Sequence, residues 1–227
     1  MLDMINQLAS MFIYLIAIML LLVFNEFIYR RFGLKGENTR KFAHITATLS
    51  TIPFPYLFKD HIYPLILAII FFIILFVSRN GTHLKSIHDI DRKSSGSYIL
   101  PLSIYLTFLI SNLLENKFMY ILPILIMAIS DPMAGIVGMN LKRNNIRIQI
   151  PWLDTTKTVA GSGAFFLSCI IISMVALYFN RMVFDLKTVW LALCLASLTT
   201  LVEFFSFRGT DNFFVPMSAV LMLVLLL

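Results

Sequence analysis

Long apolar runs separated by short charged segments occupy most of this 227-residue chain. Hydrophobic residues make up 59% of the chain and charged residues only 13%, whereas a soluble domain carries about 25% charged residues. A helix needs about 20 apolar residues to cross a bilayer, so this length allows seven or eight crossings joined by short loops. These features predict an integral membrane protein and leave no room for a separate soluble domain.

The apolar runs predict a single all-α domain over residues 1–227, a polytopic membrane helical bundle of about eight transmembrane helices with short loops. The predicted spans are residues 8–28, 43–58, 62–77, 98–114, 118–139, 158–179, 188–203 and 213–227. The second span holds Pro53 and Pro55 near its end. Because proline interrupts helices, a count of seven spans stays open.

Lysine and arginine divide sharply between two sets of loops. Four of the eighteen, Lys59, Lys117, Arg181 and Lys187, lie in one set, and the other fourteen follow the first, third, fifth and seventh spans. Cytoplasmic loops carry the excess of cations, so we expect the N-terminus outside and the cation-rich loops in the cytoplasm. The membrane would be the inner membrane of a bacterium or an endoplasmic-reticulum-like membrane of a eukaryote. The net charge of +6 then reflects topology and anionic lipids, and no nucleic-acid partner is expected.

Asp131 is the polar residue that topology explains least. It lies thirteen residues beyond Phe118, where its span starts, about 20 Å along a helix. An unpaired carboxylate there costs at least about 2.5 kcal/mol, so we expect Asp131 to be paired, bound to a cation or facing water. Pro132 disfavours helical geometry at Asp131, and Gly135 and Gly138 permit close packing or a broken helix. A kinked helix interface with Asp131 bonded to a loop cation is the structural alternative.

Four further polar clusters lie on the predicted cytoplasmic side. They are Arg40, Lys41 and His44; Lys93, Ser95, Gly96 and Ser97; Lys157, Thr158 and Gly161; and Glu203, Asp211 and Asn212. The first also suits a basic flank of a span. The second lets backbone N–H groups approach a phosphate but also resembles a helix cap. The third suits an anion at a helix N-terminus or a helix-packing seam.

Carboxylates from these clusters favour a metal ion. Asp131, Glu203 and Asp211 can together hold Mg²⁺ or another divalent cation, because magnesium takes carboxylate oxygens, substrate phosphates and waters as ligands. An interfacial salt bridge between Glu203 and Arg208 is the structural alternative.

In order and spacing, the clusters resemble the CTP-dependent lipid-alcohol kinases: dolichol kinase, phytol kinase and the CTP-using diacylglycerol kinase. These kinases are grouped with the phosphatidate cytidylyltransferases in a broader superfamily. The resemblance spans residues 40–216 and rests on Arg40, Lys41 and His44; Ser95, Gly96 and Ser97; Asp131, Ala134 and Gly138; Lys157, Thr158 and Gly161; and Glu203, Asp211, Asn212 and Pro216. The His-Gly-Gly and Asp-Arg-x-Asp signature expected of CDP-diacylglycerol synthases does not occur in the sequence, which favours a kinase.

The resemblance implies an enzyme that moves a phosphoryl group from CTP to a lipid alcohol at the cytoplasmic interface. We assign catalytic roles to Asp131, Lys157, Glu203 and Asp211, with magnesium on the three carboxylates. We assign nucleotide and phosphate binding to Arg40, Lys41, His44, Lys93, Ser95, Gly96, Ser97, Lys142, Thr158, Gly161 and Asn212. The expected partners are a membrane lipid and a nucleotide, and assembly into a homo-oligomer stays open.

Ala160 departs from the family pattern, which usually has glutamate at this position. Either Asp131, Glu203 and Asp211 suffice without that carboxylate, or substrate or activity is altered. An inactive scaffold is therefore one alternative, and cytidylyl transfer to phosphatidic acid, which uses the same nucleotide, is another. An ion-coupled transporter that uses Asp131 and Glu203 is a third, although the outer halves of the predicted spans carry almost no polar residues.

Overall fold

The computed structural model describes residues 2–34, 36–79, 81, 83–89, 94–141, 145–150 and 155–226. Within these residues the chain forms ten helices and one two-stranded antiparallel sheet. The elements are α1 Leu2–Phe32, α2 Gly36–Ser50, α3 Phe54–Leu57, α4 Ile62–Ser78, α5 Lys85–His88, α6 Gly96–Leu113, α7 Phe118–Asn140, β1 Arg147–Ile150, β2 Thr155–Thr158, α8 Val159–Arg181, α9 Leu186–Phe205 and α10 Asp211–Leu226. The predicted all-α, polytopic membrane architecture is confirmed.

Among the described residues, five helices are long and apolar enough to cross a bilayer: α1, α6, α7, α8 and α9. Helices α4 and α10 are apolar but shorter. The predicted second span, residues 43–58, is not one continuous helix but the end of α2, a turn and the one-turn helix α3. Pro53 and Pro55 explain the break, because proline cannot donate the hydrogen bond that a continuous helix needs.

Helix α7 lies at the centre of the bundle, and most side chains between Tyr120 and Ser130 are buried. One side of α7 packs against α2 and α6, in a core shared with α1 and α4, and the other packs against α8 and α10, in a core shared with α9. The helix continues through Pro132 to Asn140, so the expected departure from helical geometry at Asp131 does not occur. Packing on both sides outweighs the cost of an internal proline, about 3 kcal/mol.

A β-hairpin that the sequence did not predict connects α7 to α8. Its two strands are antiparallel, with Arg147 opposite Thr158. The N–H of Val159 donates to the carbonyl of Ile146 at 3.0 Å, so the strand pairing continues into the first residue of α8. Strands of four residues show too little alternation for a period of two to be recognised between apolar runs.

Small residues bring α7 and α8 into close contact below the hairpin. Thr158 caps α8, and its Oγ1 accepts the N–H of Gly161 at 3.1 Å. A Cβ on Gly161 would lie 2.7 Å from that Oγ1 and 2.8 Å from the carbonyl oxygen of Ala134. A Cβ on Gly138 would lie 2.6 Å from the same Oγ1. The two glycines therefore serve close packing between unbroken helices.

We predict that Gly161→Ala lowers the free energy of unfolding by about 1–3 kcal/mol, because the added methyl group overpacks this contact. Gly163→Ala is the matched control on the same helix, since a Cβ there meets no other atom within 4 Å and alanine favours helix. Denaturant unfolding of the purified variants in detergent measures both effects. Equal stability of the two variants would contradict the close contact.

Candidate active site

A polar cavity of about 730 Å³ lies at one end of the bundle. It is bounded by the first turns of α2 and α10, the C-terminal parts of α7 and α9, and the β1–β2 hairpin. Its charged lining residues are Glu37, Arg40, Lys41, Asp89, Asp131, Arg147, Lys157, Glu203 and Asp211. Four cations and five carboxylates thus converge from α2, α7, the hairpin, α9, α10 and the residue that follows α5.

A buried ion pair connects the hairpin to α9. Lys157 on β2 donates through Nζ to Oε1 of Glu203, and their side chains are only 15% and 5% exposed. The other oxygen, Oε2 of Glu203, is buried and has no hydrogen-bond partner among the described residues. Because an unpartnered buried carboxylate oxygen is costly, Oε2 is suited to accept a hydrogen bond or a cation from a ligand.

The first turns of α2 bring two cations into the cavity. The guanidinium group of Arg40 pairs with Glu37 at 2.7 Å, and its charge also acts on Asp131. Lys41 is buried against α7, where a Cβ on Gly135 would lie 2.0 Å from its Nζ. The absence of a side chain at Gly135 therefore makes room for the ammonium group against α7, one turn after Asp131.

Asp131 faces the cavity with 25% of its side chain exposed. Its Oδ2 lies 4.0 Å from Nε2 of His44 on α2. That nitrogen also lies 3.1 Å from the carbonyl oxygen of Met127. A carbonyl only accepts hydrogen bonds, so Nε2 carries the proton in this arrangement. Asp131 thus lines the cavity and has a buried histidine as its neighbour.

A narrow apolar cleft of about 90 Å³ lies next to the polar cavity, between α1, α2, α4 and α6. Its polar lining residues are Arg40, His44, Thr51, Ser97 and Asn212, and the rest of its lining is apolar. Arg40 and Asn212 also line the polar cavity. The two spaces therefore meet at these two side chains.

The predicted phosphate loop packs against the start of α10. The N–H of Ser95 donates to the carbonyl of Arg208 at 2.7 Å, and Nδ2 of Asn212 donates to the carbonyl of Gly96 at 2.8 Å. A Cβ on Gly209 would lie 2.4 Å from the nitrogen of Gly96. Gly209 also has φ of +89°, a conformation that favours glycine. These residues join the first turns of α6 and α10.

The structure therefore separates the predicted site residues into groups. The polar cavity is lined by Arg40, Lys41, Asp131, Lys157, Thr158, Gly161, Glu203, Asp211 and Asn212. His44 and Ser97 line the apolar cleft, whereas Ser95 and Gly96 appear in the lining of neither space. Lys93 and Lys142 lie outside the described residues.

The model of the cytidylyltransferase family matches residues 2–210 of the chain. The chain belongs to the cytidylyltransferase family. No curated protein and no solved structure matches it. The family match covers every element from α1 to α9 and ends one residue before Asp211. Asp211 and Asn212, on α10, complete the cavity from outside the matched region.

The cavity of this cytidylyltransferase-family protein includes carboxylates suited to a divalent cation. The charges of Asp131, Glu203 and Asp211 act on one another. In the described part of the chain, however, no three His, Cys, Asp or Glu side chains are close enough to hold a metal ion. Magnesium often binds through one or two carboxylates together with substrate phosphates, and the unpartnered Oε2 of Glu203 fits such a ligand set. A metal on all three carboxylates stays a prediction.

Two cavity residues and one supporting residue lacked a recognisable signal in the sequence. The sequence indicates for Arg147 only a role in setting membrane orientation, but the hairpin places it in the cavity wall. Glu37 lines the cavity beside Arg40, with which it forms an ion pair. Asn145 donates to the carbonyl of Gly138 and accepts the N–H of Ala160, both at 3.2 Å. It thus joins the end of α7 to the start of α8.

We predict that Lys157→Met lowers the free energy of unfolding by about 3 kcal/mol or more, because it leaves Glu203 buried without its partner. Glu203→Gln should also destabilise the protein. The double variant should be more stable than the sum of the single effects implies, since both charges are removed together. A double-mutant cycle of denaturant unfolding measures this coupling, and strictly additive effects would contradict a buried ion pair.

Proposed function

We propose that this protein transfers the γ-phosphoryl group of CTP to the hydroxyl group of a lipid alcohol at the cytoplasmic face of the membrane. The acceptor is an alcohol of the polyprenol, dolichol, phytol or diacylglycerol type. Membership of the cytidylyltransferase family supports the use of CTP. A charged cavity that meets an apolar cleft supports an acceptor with one polar end and an aliphatic chain.

The observation that carries this proposal is the position of Asp131 beside His44, where the cleft and the cavity adjoin. An alcohol must lose its proton as its oxygen attacks phosphorus, and a carboxylate within reach can accept that proton. Phosphatidic acid instead attacks through an oxygen that is already negatively charged. A carboxylate at this point would repel it, so Asp131 favours an alcohol.

In the proposed reaction, the alcohol oxygen forms a bond to the γ-phosphorus of CTP. The bond from that phosphorus to the β–γ bridging oxygen breaks, CDP leaves, and the hydroxyl proton passes to Asp131. Catalysis of this kind depends mainly on positioning and on neutralising phosphate charge. The cavity cations that would bind the phosphates are Arg40, Lys41, Arg147 and Lys157.

Magnesium fits this cavity as a cofactor that neutralises charge on the β- and γ-phosphates when bound. Asp211 and Oε2 of Glu203 would hold it together with phosphate oxygens. This arrangement leaves Asp131 available as the proton acceptor. Lys157 keeps Glu203 in place through their ion pair.

Cytidylyl transfer to phosphatidic acid is the second candidate, and the description of the matching family favours it. In that reaction the lipid phosphate oxygen attacks the α-phosphorus of CTP, and pyrophosphate leaves. The two reactions share the nucleotide but differ in which phosphorus atom becomes attached to the lipid.

CTP labelled at either the α- or the γ-phosphorus distinguishes these functions when the purified protein is given a lipid alcohol or phosphatidic acid. We expect the label of γ-labelled CTP to appear in the alcohol, and the label of α-labelled CTP to stay in the released CDP. Transfer of α-label to phosphatidic acid, with γ-label released as pyrophosphate, would overturn the kinase proposal in favour of cytidylyl transfer. Substitution of ATP for CTP in the same assay tests the nucleotide.

Asp131→Asn and Asp3→Asn are matched variants for this assay. Asp131→Asn should lower kcat by about 10²-fold or more, because the amide cannot accept the hydroxyl proton. Asp3 lies at the opposite end of the bundle, where it forms an exposed ion pair with Lys59, so Asp3→Asn should retain the activity. Full phosphorylating activity in Asp131→Asn would exclude Asp131 as the base.

A further inference from the structure

We infer that the apolar cleft between α1, α2, α4 and α6 binds the aliphatic chain of a single-chain lipid alcohol and places its hydroxyl group beside Asp131. This inference rests on the proposed function, which supplies a lipid alcohol as the acceptor. The cleft is a site within the bundle rather than an outer face. Its walls include Leu22 of α1, Leu67 and Phe71 of α4, and Leu100 and Ile104 of α6.

Most polar residues of the cleft lie at one of its ends. Arg40 and His44 lie within the first nine residues of α2, and Ser97 and Asn212 lie in the first turns of α6 and α10. These four residues are therefore at the end of the cleft that meets the polar cavity. Beyond them, apart from Thr51, the lining contains only apolar residues. A ligand with one polar end and one apolar chain matches this distribution.

The size of the cleft favours one chain. Along α2, the lining extends from Arg40 to Thr51, about 16 Å at the rise of an α-helix. This length is about half the hydrocarbon thickness of a bilayer. The space open to the centre of a water-sized sphere is about 90 Å³. Spread over that length, it forms a channel wide enough for one aliphatic chain and too narrow for two chains side by side. A single-chain alcohol therefore fits better than diacylglycerol.

The charge at the polar end favours an alcohol over a membrane phospholipid. Asp131, which neighbours His44 at this end of the cleft, carries a carboxylate that would repel a phosphodiester. A neutral hydroxyl can instead donate a hydrogen bond to that carboxylate. The same group is the one that the proposed reaction phosphorylates.

Photo-crosslinking tests the cleft without requiring catalysis. The probe is a long-chain prenol that carries a diazirine in its tail, added to purified protein without nucleotide and mapped by mass spectrometry. We expect adducts on the cleft-lining residues of α2, α4 and α6, and competition by an unlabelled prenol of the same length. Adducts spread evenly over the outer faces of α8 and α9, or competition by phospholipid as strong as by prenol, would overturn the inference.

Ala47→Leu and Ala17→Leu provide matched variants for the crosslinking. Ala47 lines the cleft and is only partly buried, so a leucine there occupies the space for the chain. Ala17 is exposed on α1 and is absent from the cleft lining. We expect Ala47→Leu to lower cleft crosslinking at least tenfold and Ala17→Leu to leave it unchanged. Equal crosslinking of the two variants would contradict the inference.

The two proposals fail in different ways. Crosslinking in the cleft without transfer of γ-label would remove the proposed function and leave the chain site in place. Transfer of γ-label without crosslinking in the cleft would support the proposed function and exclude the chain site. Phosphorylation of diacylglycerol in preference to a single-chain prenol would also contradict the single-chain inference.

Discussion

The ion pair between Lys157 and Glu203 is the interaction on which the polar end of this bundle depends. Its two members come from β2 and α9, on either side of the cavity. Removing both charges from water is costly, and each is tolerated only because the other is present. The pair therefore fixes the hairpin over the cavity and keeps one carboxylate oxygen of Glu203 available inside it.

Around this pair, the fold concentrates charge at one end of an otherwise apolar protein. Helix α7 contacts both halves of the bundle and carries Asp131 to the boundary between the polar cavity and the apolar cleft. Arg40 and Asn212 belong to both spaces. A soluble nucleotide and a membrane-embedded chain can thus approach the same carboxylate from different phases, which is the geometric requirement for phosphorylating a lipid.

The sequence predicted the helices well, because the length and hydrophobicity of a membrane span are properties of local sequence. It also singled out three residues that line the polar cavity, Asp131 for its depth in the membrane and Lys157 and Glu203 as members of polar clusters. It left close packing as one of two alternatives at Gly138 and Gly161. Gly138 and Gly161 allow two helices to approach, and Gly96 lies against Gly209, contacts that depend on residues far apart in the chain. The sequence also did not predict the hairpin that places Arg147 in the cavity wall, because the paired strands are too short to produce a periodic pattern.

We propose that the cavity at this end of the bundle binds nucleotide phosphates. Hydrogen–deuterium exchange of the purified protein, with and without CTP and Mg²⁺, measures this binding without requiring catalysis. Nucleotide should slow amide exchange in β1, β2 and the first turns of α2 and α10, while α3 and the start of α9, at the opposite end, stay unchanged. No change in the hairpin at saturating nucleotide, or protection only at the opposite end, would contradict it.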